Sequence, residues 1–171
     1  MNRDRGDWRA QLAGSGMAMA LFRIMFGLLY LHMAMQKAPW KSFGWLHGFI
    51  WTEIKNPTFG FYKAFLEGVV LPHFPLFGWL TFLTELGLGV ALVLGAFTVI
   101  AGIGGALWQV NIAMGAFSVP TEWPWVWALL IAPQLVFAAT RAGRTLGVDR
   151  LLLERCRSTW AGRPCWLEEL V

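Results

Sequence analysis

Apolar residues along this chain gather into four long runs, at residues 16–36, 76–97, 98–117 and 123–140. A helix rises 1.5 Å per residue, so each run is long enough to cross a hydrocarbon core of about 30 Å. The pattern predicts four membrane-spanning helices. The second and third runs meet at Gly95-Ala96-Phe97-Thr98, which predicts a tight hairpin. The stretch 38–75 is too polar to span. Within it, Asn56-Pro57 reads as an N-cap followed by proline at the first helical position. A helix over 57–71 would bury Phe61, Phe65 and Val69 on one face and pair Lys63 with Glu67 on the other, with Pro72 ending it. The expected fold is all-α: an integral membrane four-helix bundle with an outer amphipathic interfacial helix. Residues 1–142 form the membrane domain, with an outer loop at 38–75, and residues 143–171 form a soluble C-terminal tail.

Composition agrees with that pattern. Of 171 residues, 57% are hydrophobic and only 14% charged, where a soluble domain has about a quarter charged. The lipid bilayer is the first expected partner. The net charge of +4 is concentrated in the two tails, so it reads as topology and not as a nucleic-acid signal. The tails hold Arg3, Arg5 and Arg9, then Arg141, Arg144, Arg150, Arg155, Arg157 and Arg163. The outer loop holds Lys37, Lys41, Lys55 and Lys63. Both termini are therefore expected in the cytoplasm of a bacterial or archaeal cell, in a multi-pass inner-membrane protein. Tryptophan, which collects at headgroup level, agrees: Trp40, Trp45, Trp51, Trp79, Trp123, Trp125 and Trp127 fall outside, and Trp8, Trp160 and Trp166 inside. Arg23 interrupts the apolar run after the N-terminal arginines, which favours a retained first helix over a cleaved signal. Cys156 and Cys165 have no histidine nearby, so no metal pattern is present, and two unpaired thiols are expected.

Glu85 is the residue with the most chemistry to explain. It is the one charge in the run 76–94, and a carboxylate at that depth costs at least about 2.5 kcal/mol in lipid. It needs a partner, and Arg23 in the first run is the expected one. Helical spacing puts Arg23, Gly27, Tyr30, Ala34 and Lys37 on one face of the first span. Glu85 shares a face with Gly78 and Gly89, and Gln109 one with Gly102 and Gly105. By depth, Arg23, Glu85, Gln109 and Gln134 fall in one inner-half layer. Such a layer suits a polar head on an apolar tail, the shape of a quinone. It equally suits a polar knot that fixes the register of the bundle. In the first case Gly27, Gly89 and Gly105 leave room for a ligand; in the second they are contact points between helices. Asn111 lies about 200° around the helix from Gln109 and is expected to bond a different neighbour or a partner chain. His32 faces away from the Arg23 stripe, and His47 and His73 lie in the outer loop, so a bis-histidine haem is not expected. Neither is a metal or a nucleotide, for want of ligand clusters and phosphate loops.

Several of these stretches together resemble a known family. They are Leu21-Phe22-Arg23-Ile24 with Gly27-Leu28, His32 and Gln36-Lys37; Glu85-x-Gly87-x-Gly89; Leu92-x-Leu94-Gly95-Ala96-Phe97-Thr98; and Ala142-Gly143-Arg144-x2-Gly147-Val148-Asp149-Arg150. In this order and spacing they resemble the DoxX/DoxD-like family of small four-helix membrane proteins. The resemblance implies a membrane subunit. DoxD-type members are linked to thiosulfate:quinone oxidoreduction, and others belong to membrane assemblies that handle thiol or oxidative stress. Arg23, Lys37 and Glu85 match charged positions of the family pattern. The chain departs from it in lacking an arginine at the hairpin, in its outer loop and in its tryptophan-rich stretch at 123–127. Two functions follow as expectations. The first is a quinone-associated oxidoreductase subunit, in which Arg23 and Glu85 orient the quinone head or relay a proton, with Gln109 and Gln134 as hydrogen-bond partners. The second is a non-catalytic accessory subunit of a larger respiratory or photosynthetic complex. Both imply other membrane-complex subunits as partners. A small transporter is a third, thinner reading.

Overall fold

Four apolar helices, not counting the shorter ones around them, carry the structure. In this computed structural model residues 4–159 are described; Arg3, Trp160, Arg163, Cys165, Trp166, Glu168 and Glu169 lie outside the described residues. The helices are α1 (Asp4–Gln36), α2 (Gly44–Lys55), α3 (Gly60–Phe65), α4 (Phe74–Leu94), α5 (Thr98–Ala116), α6 (Pro124–Thr140) and α7 (Val148–Thr159). No strand occurs among the described residues. Gly14–Lys41, Phe74–Leu94 and Thr98–Ala116 are long and apolar enough to cross a membrane, and α6 is an apolar helix of 17 residues. The protein is an all-α membrane protein. Pro75 and Pro124 stand in the first turns of α4 and α6, where the missing N–H costs nothing.

The four apolar helices pack as two close pairs, α1 with α4 and α5 with α6. Glycine sets both contacts. A Cβ on Gly27 would come within 2.7 Å of Val93, and one on Gly89 within 2.7 Å of Leu31. On α5, a Cβ on Gly102 would meet the Gln134 carbonyl oxygen at 2.5 Å, and one on Gly105 would overlap the Gln134 side chain. These glycines are contact points and leave no ligand space beside them. Inward of that level, Phe22, Phe26 and Phe137 form an edge-to-face trio with centroids 5.2–5.6 Å apart.

The outer segment differs from its expectation. Two helices cap the bundle where one was expected. Asn56 ends α2, its N–H bonding to the Thr52 and Glu53 carbonyls, and does not start a helix. After α3 the chain continues through a π-helical turn, Leu66–Val70. The buried face is Tyr62, Leu66 and Val70, whereas Phe61, Phe65 and Val69 are exposed. Tyr62, Leu66 and Val70 thus form a second apolar face, turned toward the bundle, while the expected interfacial face points away from it. Tyr62 and Leu66 join the outer core with Leu46, Ile50 and Ile54 of α2, a helix the earlier pattern did not include. The wet pair Lys63–Glu67 forms, at 3.8 Å.

At the other end the C-terminal segment docks onto the bundle. Asp149, fully buried, accepts hydrogen bonds from the Phe97 N–H (2.6 Å), the Thr98 N–H (2.9 Å) and the Thr98 hydroxyl (2.6 Å). It thus caps the N-terminus of α5 from 51 residues away, where helix ends leave N–H groups free. The Asp149 N–H in turn bonds the Gly95 carbonyl at 2.9 Å. Cys156 is buried on α7 and disulfide-bonded, which corrects the expectation of free thiols.

Candidate functional site

The antiparallel register of α1 and α4 decides which charges meet. Gly27 lies against Val93, and Gly89 against Leu31, so Glu85 stands level with the turn near Ala34. Lys37 is one turn further along the same stripe, and Arg23 is about 16 Å back along α1. Glu85 therefore pairs with Lys37, not with Arg23: Lys37 Nζ donates to Glu85 Oε1 at 2.5 Å, both side chains nearly or fully buried. Arg23 sits beside Gly95, at the inner end of α4. Its guanidinium donates to the Ala142 carbonyl at 2.8 Å and the Leu146 carbonyl at 2.9 Å.

The single expected layer is divided: Arg23 stands apart, and the rest form two groups that share Gln109. In one, the Tyr30 hydroxyl accepts hydrogen bonds from Gln109 Nε2 at 3.0 Å and from Gln134 Nε2. All three residues are fully buried, and they tie α1, α5 and α6 together. In the other, Lys37 and Glu85 face α5, with the Lys37 ammonium 5.2 Å above the Trp45 ring. Glu85 Oε2 and the Trp108 indole nitrogen each lack a hydrogen-bond partner, although the two side chains lie close enough to interact. Gln109 belongs to both groups: its amide nitrogen holds Tyr30, while its Oε1 is unpartnered.

A cavity of about 420 Å³ opens on this second group. It lies between the two helix pairs and beneath the α2–α3 cap. Its walls are chiefly apolar, from Leu46, Phe49, Ile50, Leu66, Phe77, Ile112 and Leu130. Lys37, Trp108 and Gln109, around the ion pair, supply polar atoms to the cavity, as do Glu53, Tyr62, Asn111 and Glu122. The Tyr62 hydroxyl donates to Asn111 Oδ1 at 3.4 Å, the different neighbour expected for Asn111. Trp127 is 7% exposed and lines the cavity with an unpartnered indole nitrogen. Burial, then the nearby Glu122 carboxylate, pushes the Glu53 carboxyl up to about 8. Burial and then Glu53 push the Tyr62 hydroxyl up to about 12.

Sequence reasoning missed Glu53, Tyr62, Trp108 and Trp127. Glu53 carried a readable signal, since Leu46, Ile50, Glu53 and Ile54 share the buried face of α2 at helical spacing. His32 keeps to the outside of α1, where it bonds Gln36 at 3.0 Å. No group of three or more metal-ligating side chains occurs among the described residues.

Such a bundle, with one buried ion pair and an apolar cavity beside it, defines a small integral membrane protein with a ligand-sized site. The family model described as "TQO small subunit DoxD" matches residues 21–169, and the chain belongs to that family. No match to a curated protein or to a solved structure was found.

Proposed function

We propose that this chain is the quinone-binding membrane subunit of an oxidoreductase, with four spans and both termini cytoplasmic. The observation that carries the reading is the cavity of about 420 Å³, mostly apolar along its walls with a few polar side chains among them. Binding sites of this kind are mostly apolar with a few placed polar groups. The donor set fits a quinone. Lys37 and the Trp108 N–H have hydrogen bonds to offer a carbonyl oxygen, and Glu85 holds Lys37 in place from behind. Trp45 and Leu80 line the cavity and are also about half exposed, so an apolar tail can leave toward lipid between α2 and α4. The quinone supplies the electron-accepting chemistry when bound. The electrons come from a partner chain, which the family's description as a small subunit supports.

A 1,4-benzoquinone with a ten-carbon tail, added to the purified protein in detergent, is expected to quench tryptophan fluorescence saturably. Trp108→Phe, which keeps the ring and loses the donor, is expected to weaken binding roughly fivefold, the equivalent of about 1 kcal/mol for one hydrogen bond. Absence of saturable quenching in the unmodified protein would sink the reading. Topology has its own check. An impermeant thiol reagent on intact cells is expected to label a cysteine at exposed Thr121 and not one at exposed Glu154. The reverse labelling would invert the orientation.

A further inference from the structure

Glu53 is a buried carboxyl that the quinone reading does not yet use. It is 6% exposed, and no ion pair involves it among the described residues. Its Oε1 lies 2.8 Å from where a Cβ on Gly115 would stand, so it sits against α5 at that level. Gln109 is six residues earlier on the same helix, roughly 9 Å along the axis. Both residues line the one cavity. The cavity thus has two poles: Lys37, Trp108 and Gln109 at the first, Glu53 at the second.

We propose that Glu53, in its neutral form, is the second hydrogen-bond donor to the quinone, holding the carbonyl oxygen opposite the one that Lys37 and Trp108 hold. This rests on the quinone reading above and adds the ligand's orientation and a pH dependence to it. A para-quinone carries its two carbonyls on opposite sides of one ring, so a site with donors at both ends grips both. A carboxylate would repel such an oxygen, whereas a carboxylic acid donates to it.

The surroundings keep the acid form. Glu122 faces Glu53 from the α5–α6 connection, and Tyr62 faces it from α3; Lys37, from α1, stands at the other pole. No cation among these offsets the burial, and the carboxyl is pushed up to about 8. The donor is present below that pH and lost above it.

The test is quinone affinity against pH, with the same ten-carbon-tailed 1,4-benzoquinone in its oxidised form, which has no proton to lose. From pH 6.5 to 9.5 the affinity of the unmodified protein is expected to fall about thirtyfold if only the neutral form of Glu53 binds. Glu53→Gln keeps an N–H donor that does not titrate, so its affinity is expected to stay level over that range. Glu122→Gln removes the facing negative charge, so the midpoint of the fall is expected to move to lower pH. A level profile in the unmodified protein, or an unchanged fall in Glu53→Gln, would overturn the inference and leave the quinone reading standing. No binding at any pH would instead remove the quinone reading itself.

Discussion

The two ends of this molecule each bury charge, and they treat it in opposite ways. At the inner end, Arg23 bonds the carbonyls of Ala142 and Leu146, and Asp149 accepts three hydrogen bonds at the hairpin. Gly95, Gly143 and Gly147 are small because the arginine, the aspartate and the backbone occupy the space their side chains would need. Gly95 also has φ +63°, a conformation that glycine adopts without strain. Arg23 Nε is buried there without a partner, but the side chains and backbone packed around it leave no space for a ligand. At the outer end, Lys37 and Glu85 satisfy each other on one side only. Glu85 Oε2, Trp108 Nε1, Gln109 Oε1 and Trp127 Nε1 are left without partners. Buried polar groups are normally bonded, and each exception calls for an explanation. The comparison teaches that a buried charge by itself does not mark a site. What sets the outer end apart is that its unpartnered atoms stand beside an open cavity.

That contrast can be broken by removing one charge at each end. Asp149→Ala is expected to cost most, about 3–5 kcal/mol in detergent unfolding. It removes the three hydrogen bonds that cap α5 and the carboxylate whose charge acts on Arg23, while Arg23 keeps its bonds to the Ala142 and Leu146 carbonyls. Lys37→Met strands Glu85, which can escape by taking up a proton, so its cost is expected to be smaller. In a double-mutant cycle Lys37 and Glu85 are expected to couple, whereas Arg23 and Glu85, about 16 Å apart along the helix pair, are expected to add independently. Coupling between Arg23 and Glu85 would mean the register is shifted by several turns.

That register is where the sequence was least legible. The spans could be read from their apolar length, and α4, α5 and α6 begin and end within a few residues of the pattern. Arg23 and Glu85 were recognisable as buried charges for the same reason. Their pairing depended on how far α1 slides along α4, and no single-helix pattern contains that. The slide is set by Gly27 and Gly89, whose positions are visible but whose partners, Val93 and Leu31, are not. Lys37 was read on the Arg23 face of the first span, and only the register brings it level with Glu85. The inner knot is another matter. Its residues, Arg23, Gly95, Thr98, Gly143, Gly147 and Asp149, all lie in stretches that carried the family resemblance. What could not be read was that a residue 51 positions away would cap α5. The cavity was out of reach because its lid, α2, sits in a stretch judged polar, although one face of it is Leu46, Ile50 and Ile54.

The smallest effect sharpens the outer half of the comparison, because it reports which face of α3 covers the cavity. Leu66 is 4% exposed and lines the cavity, while Phe61 is 66% exposed. Truncating a buried leucine removes packed atoms and leaves a void, so Leu66→Ala is expected to destabilise by about 2–5 kcal/mol, toward the low end because the neighbouring cavity already relaxes the packing. Phe61→Ala removes a ring that touches its neighbours at the surface, Phe59 at 5.5 Å and Tyr62 at 6.4 Å, and is expected to cost well under that. Lys63→Gln breaks an exposed pair and is expected to change stability by less than about 0.5 kcal/mol. Thermal unfolding of the three variants in one detergent orders them. If Phe61→Ala costs more than Leu66→Ala, the helix is turned the way the apolar spacing first suggested. The cavity would then lose Leu66 and Tyr62 from its wall.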